Sequence, residues 1–430
     1  MKLEKIKYLL CGVIISSALP LCATAETLEQ AWVEALAADH GLQAIRENTV
    51  ASEHQLQAAK AARLPNINLA SGYTMLEKAP FAIASIGGNA LSVQMGERES
   101  LSYQAMSVLP LYTSGQISGQ INAATAGLEA SQFFEVGKTL NLKLTVAEAY
   151  VGVLRSNKAL DVVNSHVATL RSHAADVVNF YDQGMVSRND LLAAQVALAD
   201  AVQMSIKVGN GADIAAAAYN RLLGRPLKQK VALGELQPGL LSNESLEELT
   251  QKAINGRYEL QVLQQQSTAL KHQASAIRGK SGPQVALSGG YVYHENNYQS
   301  PEGQWMVNVG MQWNVFDAGL INNQAKASER QARSLAEQYD EALSQIELQV
   351  RQYWLATQET QKRVTVTEKA VGQAEENLRV NRDRYENGLS TNTEVLAAEA
   401  LRTGSQDNHA NAIYDAVLAG LRLKRAVSSL

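Results

Sequence analysis

The chain is written twice. The stretch from Leu28-Glu29-Gln30-Ala31 to Tyr73 recurs 218 residues later, from Leu246-Glu247-Glu248-Leu249 to Tyr291, with Pro65, Leu69, Gly72 and Tyr73 falling on Pro283, Leu287, Gly290 and Tyr291. From Tyr112 onward the offset is 204: Gly115 matches Gly319, Val146 matches Val350, Tyr181 matches Tyr385, Gly184 matches Gly388, and Leu192-Ala193-Ala194 matches Leu396-Ala397-Ala398. The fall in offset places 14 fewer residues in one connection of the second copy. Two copies fall short of the three or more stacked repeats by which a solenoid buries a core. A duplicated unit this long instead builds a pseudosymmetric wall that closes with other copies of itself.

Residues 1–25 read as a signal peptide. Lys2, Lys5 and Lys7 precede an apolar run from Tyr8 to Leu19, and Ala23-Thr24-Ala25 supplies the small-residue cleavage pattern. Lipid attachment at Cys22 is the rival reading, and Leu21 stands where lipoprotein processing wants a small residue. Both cysteines, Cys11 and Cys22, lie in this segment, so neither disulfides nor thiol chemistry are expected in the mature chain. Without it the balance is 35 basic against 41 acidic residues, a mild acidity that argues against a nucleic-acid partner. No later stretch is expected to serve as a membrane helix of ~20 apolar residues. A β-barrel route into a bilayer stays open.

Four segments alternate with period two, which gives each an apolar and a polar face. The first, about 66–79, sets Ile67, Leu69, Tyr73 and Met75 against Asn66, Asn68, Gly72 and Thr74. The second, about 98–113, sets Leu101, Tyr103, Ala105 and Leu109 against Ser100, Ser102 and Gln104. The third, about 284–298, carries Val285, Leu287, Tyr291 and Tyr293 on one face. The fourth, about 302–316, carries Trp305, Val307, Val309, Met311, Trp313 and Val315 against Gln304, Asn308, Gln312 and Asn314. A soluble sandwich covered by helices would explain the alternation. The lengths, near the ~9–11 residues of a tilted membrane strand, argue for lipid instead. So does the placing of Trp305 and Trp313 at opposite ends of one face, as interfacial aromatic girdles require, with Tyr73 and Tyr291 as further interface aromatics. Four strands cannot close a barrel and an open edge is excluded in lipid, so the strand count demands oligomerisation. Two chains would give eight strands, filled by side chains, whereas three would give twelve and room for a lumen.

The rest reads as helix. The stretches Gly115–Tyr181 and Gly319–Tyr385 contain no proline and are rich in Ala, Leu, Glu, Gln, Lys and Arg. Each spans on the order of 100 Å if continuous. Each ends at a matched turn, Tyr181-Asp182-Gln183-Gly184 and Tyr385-Glu386-Asn387-Gly388, where glycine takes the left-handed conformation that stops a helix. Returning helices follow, from about Asn189 to Leu223 and from about Thr393 to Val427. The expected organisation is a first repeat over 26–223, a Gly/Pro-punctuated linker over 224–245 and a second repeat over 246–430. The fold class is mainly α with a membrane β-barrel, built on a duplicated helix–strand–strand–helix–helix unit.

These residues resemble the TolC family of outer-membrane efflux and secretion channels. The resemblance rests on Arg63-Leu64-Pro65-Asn66-Ile67-Asn68-Leu69 entering the first strand and Pro110-Leu111-Tyr112-Thr113-Ser114-Gly115 leaving the second. It rests further on Asn314-Val315-Phe316-Asp317-Ala318-Gly319 in the second copy and on the two Tyr-x-x-Gly turns. It covers nearly the whole mature chain. It implies a homotrimer with a twelve-stranded barrel in the outer membrane and a long helical barrel extending into the periplasm. The tip of that tube would be closed, and opened by a periplasmic adaptor (membrane fusion) protein coupled to an inner-membrane pump. The family's closed tip is held partly by an Asp–Tyr–Arg network, for which Asp190 and Tyr385 are the counterparts. The arginine expected five residues after Tyr385 is Ser390, leaving Arg188 or Arg384 as substitutes. Glu394 and Asp190 would line the aperture, and a second acidic position is Ala397, so the acidic ring is thinner. The competing account of both carboxylates is that they are solvated helix-start residues.

No catalytic chemistry is expected. Gly279-Lys280-Ser281 imitates the end of a phosphate loop without its first glycine or preceding strand. His166 and His173, seven residues apart on one helix, are too far apart to share a metal. No cofactor is implied. The leading expectation is a passive outer-membrane conduit for small-molecule efflux or type I protein secretion, with outer-membrane lipid, a periplasmic adaptor and an inner-membrane pump as partners and no nucleic acid. The alternative is a soluble periplasmic coiled-coil adaptor or scaffold whose strands form a sandwich.

Overall fold

The computed structural model describes residues 25–87, 89–239 and 244–430. The signal segment, apart from Ala25, lies outside the described residues, as do residues 240–243 of the linker. The duplication is exact at the level of helix length. Helices α1 (Leu28–Ala38) and α2 (His40–Ala61) are followed by β1 (Asn66–Met75), β2 (Phe81–Ile86), β3 (Asn89–Gln94) and β4 (Glu99–Tyr112). Then come α3 (Gln116–Asp182) and α4 (Arg188–Leu222). The second copy runs α5 (Leu246–Gly256), α6 (Tyr258–Gly279), β5 (Gln284–His294), β6 (Gly303–Gln312), α7 (Leu320–Glu386) and α8 (Asn392–Ala426). The matched helices have 11, 22, 67 and 35 residues in each copy. Gly115 and Gly319, both at φ 84°, begin the two long helices.

The four main strands form one antiparallel sheet in the order β1-β4-β5-β6. Its register brings the apolar sides together: Leu69 opposes Ala105, Ala105 opposes Tyr291, and Tyr291 opposes Trp305. Pro110, in a central strand, is tolerated because the β4–β5 ladder slips between Pro110 and Tyr112. The sequence reading missed the β2–β3 hairpin, which occupies the connection between β1 and β4 and accounts for the longer first copy. Three strands also end sooner than expected. β1 stops at Met75, before Glu77-Lys78-Ala79-Pro80. β5 stops at His294 because the Asn296 side chain accepts from the Gln299 N–H at 2.6 Å and turns the chain. β6 stops at Gln312, opposite Gln284, where the partner strand begins after Pro283, a residue with no N–H to offer.

At ~1.5 Å per residue, α3 and α7 reach roughly 100 Å from the sheet. α1–α2 and α5–α6 lie along their sheet-proximal halves, and α4 and α8 along the distal halves. Midway, a core of Leu28, Ala31, Val146, Tyr150, Val153, Tyr219 and Val417 joins α1, α3, α4 and α8. The expectation that no segment after the signal is apolar enough to cross a membrane is corrected by α4, which passes by length and composition. Its apolar run is broken by Asp200, Lys207 and Asp213, and it packs antiparallel on α3. Val196, Val202, Ile206 and Ile214 remain exposed on this single chain.

Candidate functional site: the helical tip and the membrane face

The sheet leaves its apolar residues in the open. Ile67, Leu69, Val307 and Trp305 are 72, 75, 79 and 80% exposed, and both edge strands are exposed on both faces. A soluble sandwich would have buried this face; lipid is the solvent that suits it. Aromatic rings mark two levels. Away from the helices, Tyr103 stacks on Tyr293 at 4.5 Å, and Tyr291 meets Trp305 edge-on at 5.5 Å. Tyr73 lies at the same end, on the neighbouring strand. Near the helices, the Trp313 indole donates to the Ser281 carbonyl at 2.9 Å. Trp305 and Trp313 are eight residues apart, roughly 26 Å along an extended strand.

The opposite end of the molecule is built from the two matched turns. Gly184 and Gly388, at φ 72° and 70°, close the ends of α3 and α7. In each, the glycine N–H bonds the tyrosine carbonyl three residues back, Gly184 to Tyr181 and Gly388 to Tyr385, both at 2.9 Å. The next N–H reaches five residues back, Met185 to Phe180 at 2.8 Å and Leu389 to Arg384 at 2.7 Å. This is the Schellman arrangement, which requires a left-handed residue and hence favours glycine. Ala174, Val177, Ala194, Leu378, Tyr385, Val395 and Ala398 pack the four helix ends into one small core.

The candidate residues fall into different surroundings. Asp190 sits in the first turn of α4, where its carboxylate accepts from the Ser187 hydroxyl at 2.7 Å while Ser187 Oγ accepts from the Asp190 N–H at 3.3 Å. This reciprocal cap stabilises the helix start. Glu394 is exposed in the first turn of α8 and accepts a short hydrogen bond from the Ser390 hydroxyl. That bond, opposed by slight desolvation and helped by Thr391 and by the charge of Arg384, holds the Glu394 carboxyl below its usual range. The residue standing where the arginine was expected thus serves Glu394. Arg384 itself donates to the Leu389 carbonyl at 3.2 Å.

Tyr385 is 9% exposed, packed on His173 at 5.5 Å and Phe180 at 6.0 Å. Its hydroxyl has no hydrogen-bond partner among the described residues, so the Asp190–Tyr385 bond is not made within this chain. Burial, then the nearby charges of Asp190 and Asp176, push the Tyr385 phenol up. Tyr181, its counterpart, is 38% exposed. The contact that does join the two halves here escaped the sequence reading. His173 Nε2 lies 2.7 Å from Asn392 Oδ1, and the Asn392 amide donates to the Asp190 carbonyl at 3.0 Å. The signal was present: His166 and His173 lie seven residues apart, as do Asn392 and Glu399 on the facing helix.

The outer membrane efflux protein family profile matches residues 31–225 and 249–429, one segment for each repeat. The outer membrane protein TolC of Vibrio cholerae is 22% identical over 434 aligned positions, covering 98% of this chain and 95% of that protein. The crystal structure of VceC from the same organism superposes with a TM-score of 0.80 at 18% identity, over 93% of this chain and 95% of the other. The open-state MtrE channel of Neisseria gonorrhoeae gives 0.75 at 18% identity, over 93% and 88%. An exposed apolar sheet, a long helical stem and two matched segments spanning nearly all of the described fold lead to one assignment: the chain belongs to the outer membrane efflux protein family, seated in the outer membrane and extending into the periplasm.

Proposed function

We propose that three copies of this chain close their sheets into a twelve-stranded barrel and their helices into a periplasmic tube. The assembly is a passive conduit for small-molecule efflux, energised by an inner-membrane pump and opened at its tip by a periplasmic adaptor. The observation that carries this reading is the open four-stranded sheet with its exposed apolar face. A sheet with two free edges is not tolerated in lipid, and closure removes both. The apolar strip of α4 supports it, since a neighbouring copy would cover Val196, Ile206 and Ile214.

The aperture is assigned to the turns at Tyr181–Gly184 and Tyr385–Gly388, with Glu394 and, to a lesser degree, Asp190 facing the constriction. Selectivity then comes from charge at a narrow ring, not from a binding pocket. The direct test is the state of the protein in detergent. A trimer that resists high-salt extraction from outer membranes is expected. A monodisperse, soluble monomer after signal removal would overturn the reading and return the adaptor alternative.

A further inference from the structure

The two ends of the sheet carry opposite charge. At the end away from the helices, Glu97, Glu99, Glu295 and Glu302 collect near the aromatic rings, where Tyr73 donates to Glu99 at 2.7 Å and Tyr293 to Glu302 at 2.6 Å. At the helix end the charges are positive: Lys60 and Arg63 at the end of α2, and Arg278 and Lys280 at the end of α6. Arg278 is paired with Glu329 at 2.5 Å, and Arg63 donates to the Ser118 hydroxyl at 3.1 Å. Lys60, Arg63 and Lys280 are exposed, and among the described residues none of them has a carboxylate partner. The Asp317 carboxylate, in the strand-to-helix turn of the second copy, is already occupied by the Gly319 and Ile321 N–H groups, both at 2.8 Å.

The duplication sets the depth of these cations. Residues 218 apart are equivalent here, so Lys60 corresponds to Arg278 and Arg63 to Ser281. Ser281 is the residue whose carbonyl receives the Trp313 indole. Arg63 and Lys280 therefore stand at the level of the helix-end aromatic girdle, with Lys60 and Arg278 within roughly 5 Å of that level along their helices. We propose that this belt binds the phosphates of phospholipids with a net negative headgroup in the periplasmic leaflet, Arg63 and Lys280 being the contact residues of the two repeats. It requires only the seating of the sheet in the outer membrane, not the conduit.

Three features support it. First, the charges are complementary to the ligand and free to meet it. A guanidinium offers a fork of donors and an ammonium a point charge to a phosphate, and neither Arg63 nor Lys280 is neutralised by a carboxylate. Second, helix ends do not account for them. Lys60 and Arg278 lie in the last turns of α2 and α6, where a cation complements the carbonyl end of the helix. Arg63 and Lys280 come after the last helical residues, Ala61 and Gly279. Third, the belt continues the lipid-facing surface. Leu64 follows Arg63, and Leu111, Tyr112, Val315 and Phe316 in the two strand-to-helix connections are all more than half exposed. Each cation thus has apolar surface beside it for an acyl chain and a position at the headgroup level for its charge. The carboxylates at the other rim repel phosphate, which confines the preference to one leaflet.

Spin-labelled lipids test this on the full-length protein reconstituted in phosphatidylcholine bilayers. Spin-labelled phosphatidylglycerol is expected to associate with the protein surface at least about threefold more strongly than spin-labelled phosphatidylcholine. Molar sodium chloride should bring the two together, because it shortens the reach of exposed charges. Arg63→Gln/Lys280→Gln should lower the preference to less than about 1.5-fold. Glu99→Gln/Glu302→Gln, an equal change in charge at the opposite rim, should leave it in place. Equal association of the two lipids with the wild-type protein would overturn the belt, whether or not the variants assemble. A preference that survives in Arg63→Gln/Lys280→Gln would overturn it as well. So would a shift of the same size in Glu99→Gln/Glu302→Gln, since net charge and not this belt would then set the preference. None of these outcomes depends on whether the protein conducts, so the conduit reading stands or falls separately.

Discussion

Tyr181 and Tyr385 hold the same place in the two repeats, yet Tyr385 is buried between the helix pairs and Tyr181 is exposed at the end of its own. The backbone turns around them are near-identical, so the difference lies in side-chain partners. The side chains of His173 and Phe180 on α3 receive the Tyr385 ring, and the symmetric exchange does not occur. The repeat is symmetric in backbone and asymmetric in side-chain packing at its tip.

That asymmetry gives a graded expectation. Tyr385→Ala should lower amide-exchange protection of the tip by ~3 kcal/mol, the usual cost of emptying a buried aromatic site. Tyr385→Phe should stay within about 1 kcal/mol of wild type, because its hydroxyl has no partner to lose. Tyr181→Ala should change protection by less than ~0.5 kcal/mol. A large loss in Tyr385→Phe would mean that a neighbouring copy supplies the missing partner.

The two faces of β6 should respond oppositely to charge. Val309 is 63% exposed on the apolar face near mid-strand, and Asn308 points the other way. Val309→Arg should destabilise the folded barrel by ~2–4 kcal/mol, and Trp305→Arg, nearer the interface, by ~1 kcal/mol or less. Asn308→Arg should have little effect on assembly. Heat-modifiable mobility of the trimer in outer-membrane fractions reads this out. Equal effects at Val309 and Asn308 would argue against a lipid-facing and a lumen-facing side.

Much of this architecture was legible because its signals are periodic. Alternation at period two in 305–315 and proline-free stretches ending in Tyr-x-x-Gly identify strands and long helices without tertiary information. The β2–β3 hairpin escaped because Phe81–Gln94 pairs only with itself and shares no counterpart in the second repeat. Apolar α4 was underestimated because its scattered charges break the run in sequence while its packing on α3 keeps them on the surface. The tip was harder still. Asp190 and Glu394 stand out as matched carboxylates, yet Asp190 caps its own helix. The buried contacts belong to His173, Asn392 and Glu399, whose partners lie more than 200 residues away.

Midway along the molecule, Arg225 binds Glu26 at 2.9 Å and Glu34 at 2.6 Å, tying the start of the described chain to the end of α4. The hydrogen bond from Arg225 holds the Glu34 carboxyl below its ordinary value of 4.5, against some desolvation. A depressed carboxylate contributes stability that is complete above its unfolded value and lost as pH falls through the folded one. Arg225→Gln should therefore cost about 2 kcal/mol near neutrality, since it removes charge-assisted hydrogen bonds to the half-buried Glu26 and to Glu34. The Glu34 share of the gap between wild type and variant should shrink only below about pH 4.5. Denaturant unfolding of the mature protein at several pH values measures this. A gap that widens on acidification would contradict the assignment.

The final prediction concerns Glu394. In one chain its carboxyl is held low by the Ser390 hydroxyl, so it is ionised at neutral pH. Three copies at a constriction would crowd three such carboxylates, and their mutual repulsion raises the apparent values as a coupled set. The ring should attract cations, and Glu394→Gln should reduce cation selectivity in planar bilayers and weaken block by multivalent cations. Ser390→Ala should leave the ring in place but remove the hydroxyl that holds the carboxylate low. Cation selectivity of that variant should then disappear at a higher pH than in wild type as the solution is acidified, because a carboxyl with a higher pKa protonates earlier. Unchanged selectivity in assembled Glu394→Gln trimers would make this residue a solvated helix-start carboxylate. An unchanged titration in Ser390→Ala would mean that the Ser390 bond breaks when the trimer forms.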